Sequence, residues 1–173
     1  MSDKHSARTE RLLKWLQDAY AMEQEAETMM KAMASRIENY PRLAARIAQH
    51  VQETRQQADS LRECIHSLGG SVPTAKGLFA SLTAAMHAAG NSLMEDEVIK
   101  GIGLSFGFEH TEIATYRALV VAAERAGATD IAAVCSQILQ EEMAMARWLE
   151  DHQDGLVGAF LNREETPGAE SKR

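Results

Sequence analysis

Five glutamates, Glu23, Glu53, Glu109, Glu112 and Glu142, stand where amphipathic helices would place apolar side chains. Around two of them the pattern reads Val98, Ile102, Ser105, Glu109, Glu112, Tyr116, Leu119, Ala123, in alternating steps of four and three. That is a core-facing helical stripe, so both carboxylates fall on the driest face. An ionised carboxylate buried without a partner costs several kcal/mol even after relaxation. A whole domain is stable by only about 5–15 kcal/mol. Divalent cations held between facing helices are the natural compensation, as in carboxylate-bridged di-iron or di-manganese bundles. Two such ions, iron or manganese, nearly balance five negative charges.

The elements that must position these residues follow from the same periodicity. Residues 1–9 are polar and expected to be flexible, with Thr9 as the cap of a first helix. Its stripe is Leu12, Leu16, Ala19, Glu23, Ala26, Met30, Met33, Ile37, and it is expected to end at Asn39-Tyr40-Pro41. A second helix over 41–68 carries Leu43, Ile47, Val51, Thr54, Ala58, Leu61 and Ile65, and is closed by Gly69-Gly70. Beside that line runs the row Arg46, His50, Glu53, Gln57, Cys64, which puts Glu53 at the edge of the core face. The long connection over 69–97 suits a crossover with a short helix at 78–89, one candidate for a dimer surface. A third helix over 95–126 ends at Gly127. A fourth starts at Thr129 or Asp130 and runs to about 151, with stripe Ile131, Cys135, Ile138, Glu142, Met145, Leu149. Residues 155–162 read as a last short turn, and 163–173 as a disordered tail. The result is an all-α fold, one four-helix bundle over 10–162.

Spacing puts the glutamates at one level. Glu23 and Glu53 are 30 residues apart across the first hairpin, and Glu112 and Glu142 are 30 apart across the second. At ~1.5 Å rise per residue, each lies about 20–26 Å from its turn. Arg46, the nearest basic residue to Glu53 on that row, is two turns away. His50 precedes Glu53 by one turn and reads as a hydrogen-bonded or solvated histidine, with ligation by His50, Gln56 or Gln57 left open. His110 is turned about 100° from Glu109. Tyr20 and Tyr116, one turn from Glu23 and Glu112, could each hydrogen-bond a ligand. Met22, Met29, Met30, Met33, Met143 and Met145 read as core filler.

Composition narrows the function classes. The chain has 173 residues, 45% of them hydrophobic and 25% charged, which suits one helical domain. A net charge of −7, a pI near 5.4 and no basic run argue against nucleic acid or an anionic membrane as partner. Cys64 and Cys135 lack metal-type spacing and read as core thiols of a reducing compartment. With no apolar run of 18 residues and no signal-like N-terminus, cytoplasm is the expected location.

Four blocks then carry a resemblance: DAYAMEQE at Glu23, HVQETRQQADSL at Glu53, FGFEHTEIATYRAL at Glu109 and Glu112, and ILQEEMAMARWL at Glu142. Over residues 10–162 they resemble the ferritin-like superfamily, and within it the YciE/YciF-type bacterial stress proteins, closer to the YciE-like branch. The resemblance implies a ferritin-like four-helix bundle, a homodimer and a dinuclear metal site. One departure stands out. Di-iron oxidases of this fold use Glu-x-x-His on helices two and four, but Gln56 follows Glu53 and Met145 follows Glu142 at that spacing. Two functions of different class result: a di-metal redox protein acting on peroxide or O2, or a non-catalytic stress or scaffold dimer with a vestigial or structural site.

Overall fold

The computed structural model describes residues 2–73 and 95–172, and among these it contains helices and no strand. In chain order they are α1 (Ser2–Ala34), α2 (Pro41–Ser67), α3 (Glu97–Ala126) and α4 (Thr129–Glu164). Helix α1 packs along α2 and α3 along α4, while α1 also faces α3 and α2 meets α4. This is the expected four-helix arrangement, two hairpins set side by side. The proposed short helix at 78–89 lies outside the described residues.

The core follows the stripes closely. Leu12, Leu16, Ala19, Met22 and Ala26 of α1 are fully buried, as are Ile47, Leu61 and Ile65 of α2. Tyr116, Leu119 and Ala123 of α3 face Cys135, Ile138, Met145 and Leu149 of α4 in the same cluster. Each such aliphatic side chain contributes roughly 1.5–3 kcal/mol by leaving water. Four chains of apolar contacts thus fix the helices before any polar residue is considered. Cys64 and Cys135 are free, buried thiols within this core.

Helix ends are where the structure departs from the sequence pattern. Helix α1 begins at Ser2 rather than at Thr9. No Gly or Pro interrupts Ser2–Arg8, Ser6 Oγ donates to Glu10 at 2.9 Å, and Arg8 donates to the Arg125 carbonyl at the end of α3. The same helix stops at Ala34, before the expected Asn39-Tyr40. There Ser35 Oγ takes the Ala32 carbonyl, and Arg36 turns across to Glu97 at 2.6 Å. Pro41 then opens α2, as expected, with Tyr40 outside the helical conformation before it.

Helix α4 also runs on, through Gly155 and Gly158, as one continuous helix instead of ending near 151. Leu156 and Phe160 extend the buried stripe of Leu149, so the apolar face outweighs the weak helix propensity of two glycines. His152 stacks on Trp148 at 4.1 Å and reinforces this last stretch. The terminal residues, read as disordered, lie back on the bundle. Arg163 donates to the Glu170 carbonyl and to Asn39, Tyr40 Oη to the Ser171 carbonyl, and Val98 N–H to the Lys172 carbonyl. Three elements far apart in sequence thereby hold a terminal strap.

Gly127 closes α3 in the left-handed conformation at φ 74°. Its N–H bonds the Glu124 carbonyl and that of Ala128 bonds Ala123, which satisfies the helix end. A Cβ at Gly127 meets nothing within 4 Å, so substitution there costs backbone strain alone. Gly127→Ala is expected to lower unfolding stability by roughly 1–2 kcal/mol. The measurement is a shift of the urea midpoint at unchanged m-value; an unshifted midpoint would show that the α3–α4 turn is not held as described.

Candidate metal centre

Each of the four helices sends one or two polar side chains into the middle of the bundle. Glu23 comes from α1, His50 from α2, Glu109 and Glu112 from α3, and Glu142 from α4, all 2% exposed or less. They sit there because their neighbours one turn away are apolar and anchored. Ala19 and Ala26 flank Glu23, and Ile138 and Met145 flank Glu142. One ligand atom from each of His50, Glu109, Glu112 and Glu142 falls within a 4.8 Å sphere of mutual distances. Glu23 borders this group, since the charges of Glu142 and Glu109 act on its carboxyl directly.

Glu53, the fifth glutamate of the stripes, is placed differently. It lies at the rim of α2 with 24% of its side chain exposed and both oxygens engaged. Gln49 Nε2 donates to Oε1 at 2.8 Å, while Arg46 Nη1 and His50 Nδ1 reach Oε2 at 3.0 and 2.7 Å. The two turns between Arg46 and Glu53 are thus spanned by the long guanidinium side chain, which a count along the stripe does not register. His50 is the residue that goes inward. Its Nε2 lies 3.2 Å from Glu109 Oε2 and 3.3 Å from Glu142 Oε2. These are ion-pair contacts, but the angles are poor for a hydrogen bond. His50 belongs to a row, Arg46, His50, Glu53, Gln57, whose own four-three-four spacing marks a second buried seam. That seam was the available signal for it.

The other candidates sort by burial. Tyr116 Oη donates to Glu23 Oε1, so the α3 tyrosine serves the α1 carboxylate across the bundle. Tyr20 instead meets Arg62, whose guanidinium lies 5.8 Å from the ring centre. Gln57 is buried and donates to Glu141 at 2.9 Å, whereas Gln56 is exposed. His110 is exposed and packs edge-on against Phe106 at 4.5 Å.

Electrostatics explains how this cluster persists as a folded core. Burial alone would lower the His50 imidazole, but Glu109, Glu142 and Glu53 outweigh it and push it up to about 12. His50 is therefore an imidazolium, a cation lodged among carboxyl groups. Burial, followed by the neighbouring charge of Glu142, holds Glu23 and Glu112 well above the ordinary carboxyl range. Glu109 is raised by burial and lowered by His50, and reaches about 7. Tyr116 stays a phenol, since burial and Glu23 both oppose its ionisation. Glu53 goes the other way, to about 2, first through His50 and then, against burial, through Arg46. Protons and one imidazolium thus neutralise the interior.

The donor set also suits divalent cations. Glu23 Oε2, Glu109 Oε2, Glu112 Oε1 and both oxygens of Glu142 are buried without a hydrogen bond among the described residues. Glu109, Glu112 and Glu142 each offer an oxygen in one small space beside His50, with Glu23 bordering it, and hard cations such as Mn²⁺, Mg²⁺ or Fe²⁺ take such oxygen ligands.

Comparison with known proteins agrees with the bundle. Residues 7–162 match the family described as "Domain of unknown function (DUF892)". A crystal structure from Xanthomonas campestris pv. campestris is similar at 55% identity, with 92% of this chain and 99% of that one covered and a TM-score of 0.80. The E. coli stress protein YciF is similar at 23% identity over 87% and 97% of the two chains, with a TM-score of 0.75. A Desulfovibrio desulfuricans bacterioferritin with a diiron site shares 20% identity over 89% and 84%, with a TM-score of 0.73. The last two likenesses are of fold.

The proton affinities give the metal-free protein a definite pH profile. His50 and Glu109 bind protons more tightly folded than unfolded. Their contribution is complete below the unfolded values, ordinarily 6.5 and 4.5, and is lost as pH rises toward about 12 and about 7. Glu53 acts oppositely, contributing above 4.5 and losing its contribution as pH falls toward about 2. In chelator, the melting temperature is expected to be highest near pH 4.5, to fall toward pH 2 as Glu53 is protonated, and to fall toward pH 7 and beyond as first Glu109 and then His50 lose their contribution. Calorimetry across that range checks it. A melting temperature that climbs steadily to alkaline pH would mean the cluster does not hold these protons.

Proposed function

Because the chain belongs to the DUF892 family, with the ferritin-like bundle of its YciE/YciF-type members, we propose that it is a metal-binding protein with a dinuclear centre of iron or manganese in the bundle core. The observation that carries the reading is the set of buried, unbonded carboxylate oxygens contributed by Glu23, Glu109, Glu112 and Glu142. The diiron site named for the similar bacterioferritin supports it, and the likeness to a stress protein supports a role in stress. Homodimeric association and a cytoplasmic setting complete the proposal.

On this reading the four glutamates hold the metals, with His50 Nε2 as the one nitrogen donor. Bound iron or manganese would supply exchange of single electrons at the centre. The chain's own residues do the rest. His50 must give up its Nε2 proton to ligate, and Glu23 and Glu112 must give up theirs, so loading releases protons. Glu53 accepts the Nδ1 proton of His50 at 2.7 Å and fixes the ring with Nε2 pointing inward. Arg46 keeps Glu53 ionised for that task. Tyr116 fixes the Glu23 carboxyl through Oε1 and leaves Oε2 available. The apolar layers of Leu16, Ile47, Leu119 and Leu149 shield the centre from bulk water.

A second reading, a non-catalytic bundle, has one specific observation in its favour. Arg46 and the His50 imidazolium already offset Glu53 and part of the cluster, so the fold can stand without metal. Metal titration under anaerobic conditions separates the two. The proposal expects about two Fe²⁺ or Mn²⁺ per chain. It also expects a stabilisation of about 2.7 kcal/mol at a free metal concentration one hundred times Kd. Substoichiometric loading without a shift in melting temperature would leave the scaffold reading. Glu112→Ala should raise metal-free stability and abolish the metal-induced gain, since it removes a buried acid that only a cation rewards. Glu53→Gln should weaken binding only about 10–100-fold, as loss of an orienting partner does.

A further inference from the structure

A second feature lies beside the cluster. Between α1 and α3 there is a partly open cavity of ≈ 90 Å³. Among the described residues its wall is largely apolar and rich in thioethers, with Met29, Met30 and Met33 opposite Leu104 and Phe108. At its deep end it reaches Glu109, a residue only 2% exposed that also belongs to the carboxylate cluster. At its shallow end stand Arg36 and Glu97, which pair with each other at 2.6 Å. Lys172 of the terminal strap closes that side, its carbonyl held by Val98 N–H.

Gly101 explains how the space is kept. It lies on the cavity wall in the second turn of α3, inside the helix, where glycine costs roughly 1 kcal/mol relative to alanine. A Cβ there would come 3.2 Å from Met33 Sδ, tighter than ordinary contact. Ser105 Oγ, one turn further along α3, also meets the Met33 sulfur, at 3.8 Å. Any larger residue at Gly101 would therefore grow into the cavity or push Met33 across it.

We propose that this cavity is a binding chamber for a small, uncharged, apolar molecule of a few heavy atoms, which it seats against the Glu109 side of the carboxylate cluster. Size sets the upper limit, because apolar cavities of about 150 Å³ accommodate benzene or xenon and this one is smaller. Charge sets the class. Arg36 and Glu97 are paired with each other at the mouth, and an ion going deeper would lose its hydration against thioethers and a phenyl ring. An ordered water needs two to four polar partners, and the charged groups of this wall stand at its two ends, Glu109 at one and Arg36, Glu97 and Lys172 at the other, with thioethers and Phe108 between them. Methionines suit an apolar guest, being polarisable and able to adjust to its shape. Apart from Glu109 none of these residues is among the metal ligands proposed above, so the chamber stands or falls independently of the metal reading.

The test uses the full metal-free chain with carbon-13 methionine methyl groups and xenon as the probe. Saturable shifts are expected at Met29, Met30 and Met33, with Met143 of α4 unmoved. Gly101→Met is expected to weaken xenon binding about tenfold or more while leaving metal uptake as in the natural chain. Met33→Ala enlarges the cavity without crowding α3 and is expected to admit benzene, which the natural chain excludes. Absence of saturable shifts in the natural chain, as for a water-filled pocket, would overturn the proposal. Xenon binding unchanged in folded Gly101→Met would overturn it too, as would exclusion of benzene by folded Met33→Ala.

Discussion

The bundle depends on one constraint: four carboxyl groups occupy the same level of a core from which water is excluded. Left ionised, they would repel one another and forfeit their hydration, which no apolar layer of this size could offset. The structure meets the constraint with protons and a single interior cation. Burial raises Glu23, Glu112 and Glu109, and His50 carries positive charge into the same space. Every neighbouring polar contact then follows from keeping that arrangement in place. Tyr116 serves Glu23, Glu53 serves His50, and Arg46 serves Glu53.

The two hairpins contribute unequally. The α3–α4 hairpin supplies Glu109, Glu112 and Glu142, whereas α1–α2 supplies one buried glutamate and the imidazolium. Carboxyl groups are therefore concentrated on one half of the bundle, and the imidazolium that meets them comes from the other. This arrangement prepares an exchange, since a divalent cation entering between the halves replaces protons and satisfies oxygens that have no hydrogen bond. Stability of the metal-free fold and affinity for metal are then opposed through the same groups.

Much of this was legible in the sequence, because helical periodicity reports which way a side chain points. The all-α bundle and the inward placement of Glu23, Glu109, Glu112 and Glu142 all follow from steps of four and three. What periodicity does not report is how far a side chain reaches. Arg46 closes on Glu53 across two turns, and His50 crosses to α3 and α4. Both follow from side-chain length and from which neighbours are already occupied. Helix ends were the other gap. Gly155 and Gly158 look like stops until Leu156 and Phe160 are seen to share the stripe of Leu149, and the strap at Ser171 and Lys172 is visible only once Tyr40 and Val98 are beside it.

The position of the imidazole carries the sharpest lesson about transferring chemistry from a fold. A Glu-x-x-His pair would put histidine at 56, six residues past His50, about 9 Å further along the helix. Here residue 56 is an exposed glutamine, and the imidazole approaches from the opposite side of Glu53. The ring still reaches the carboxylates, but as part of a chain with Glu53 and Arg46 behind it. In Glu-x-x-His the glutamate and histidine face the centre together; here the glutamate stands behind the histidine and holds it. Likenesses of 20–23% identity establish the bundle, and the bundle alone does not decide between these two arrangements. That decision is made locally, by which of two residues one turn apart is left free to point inward.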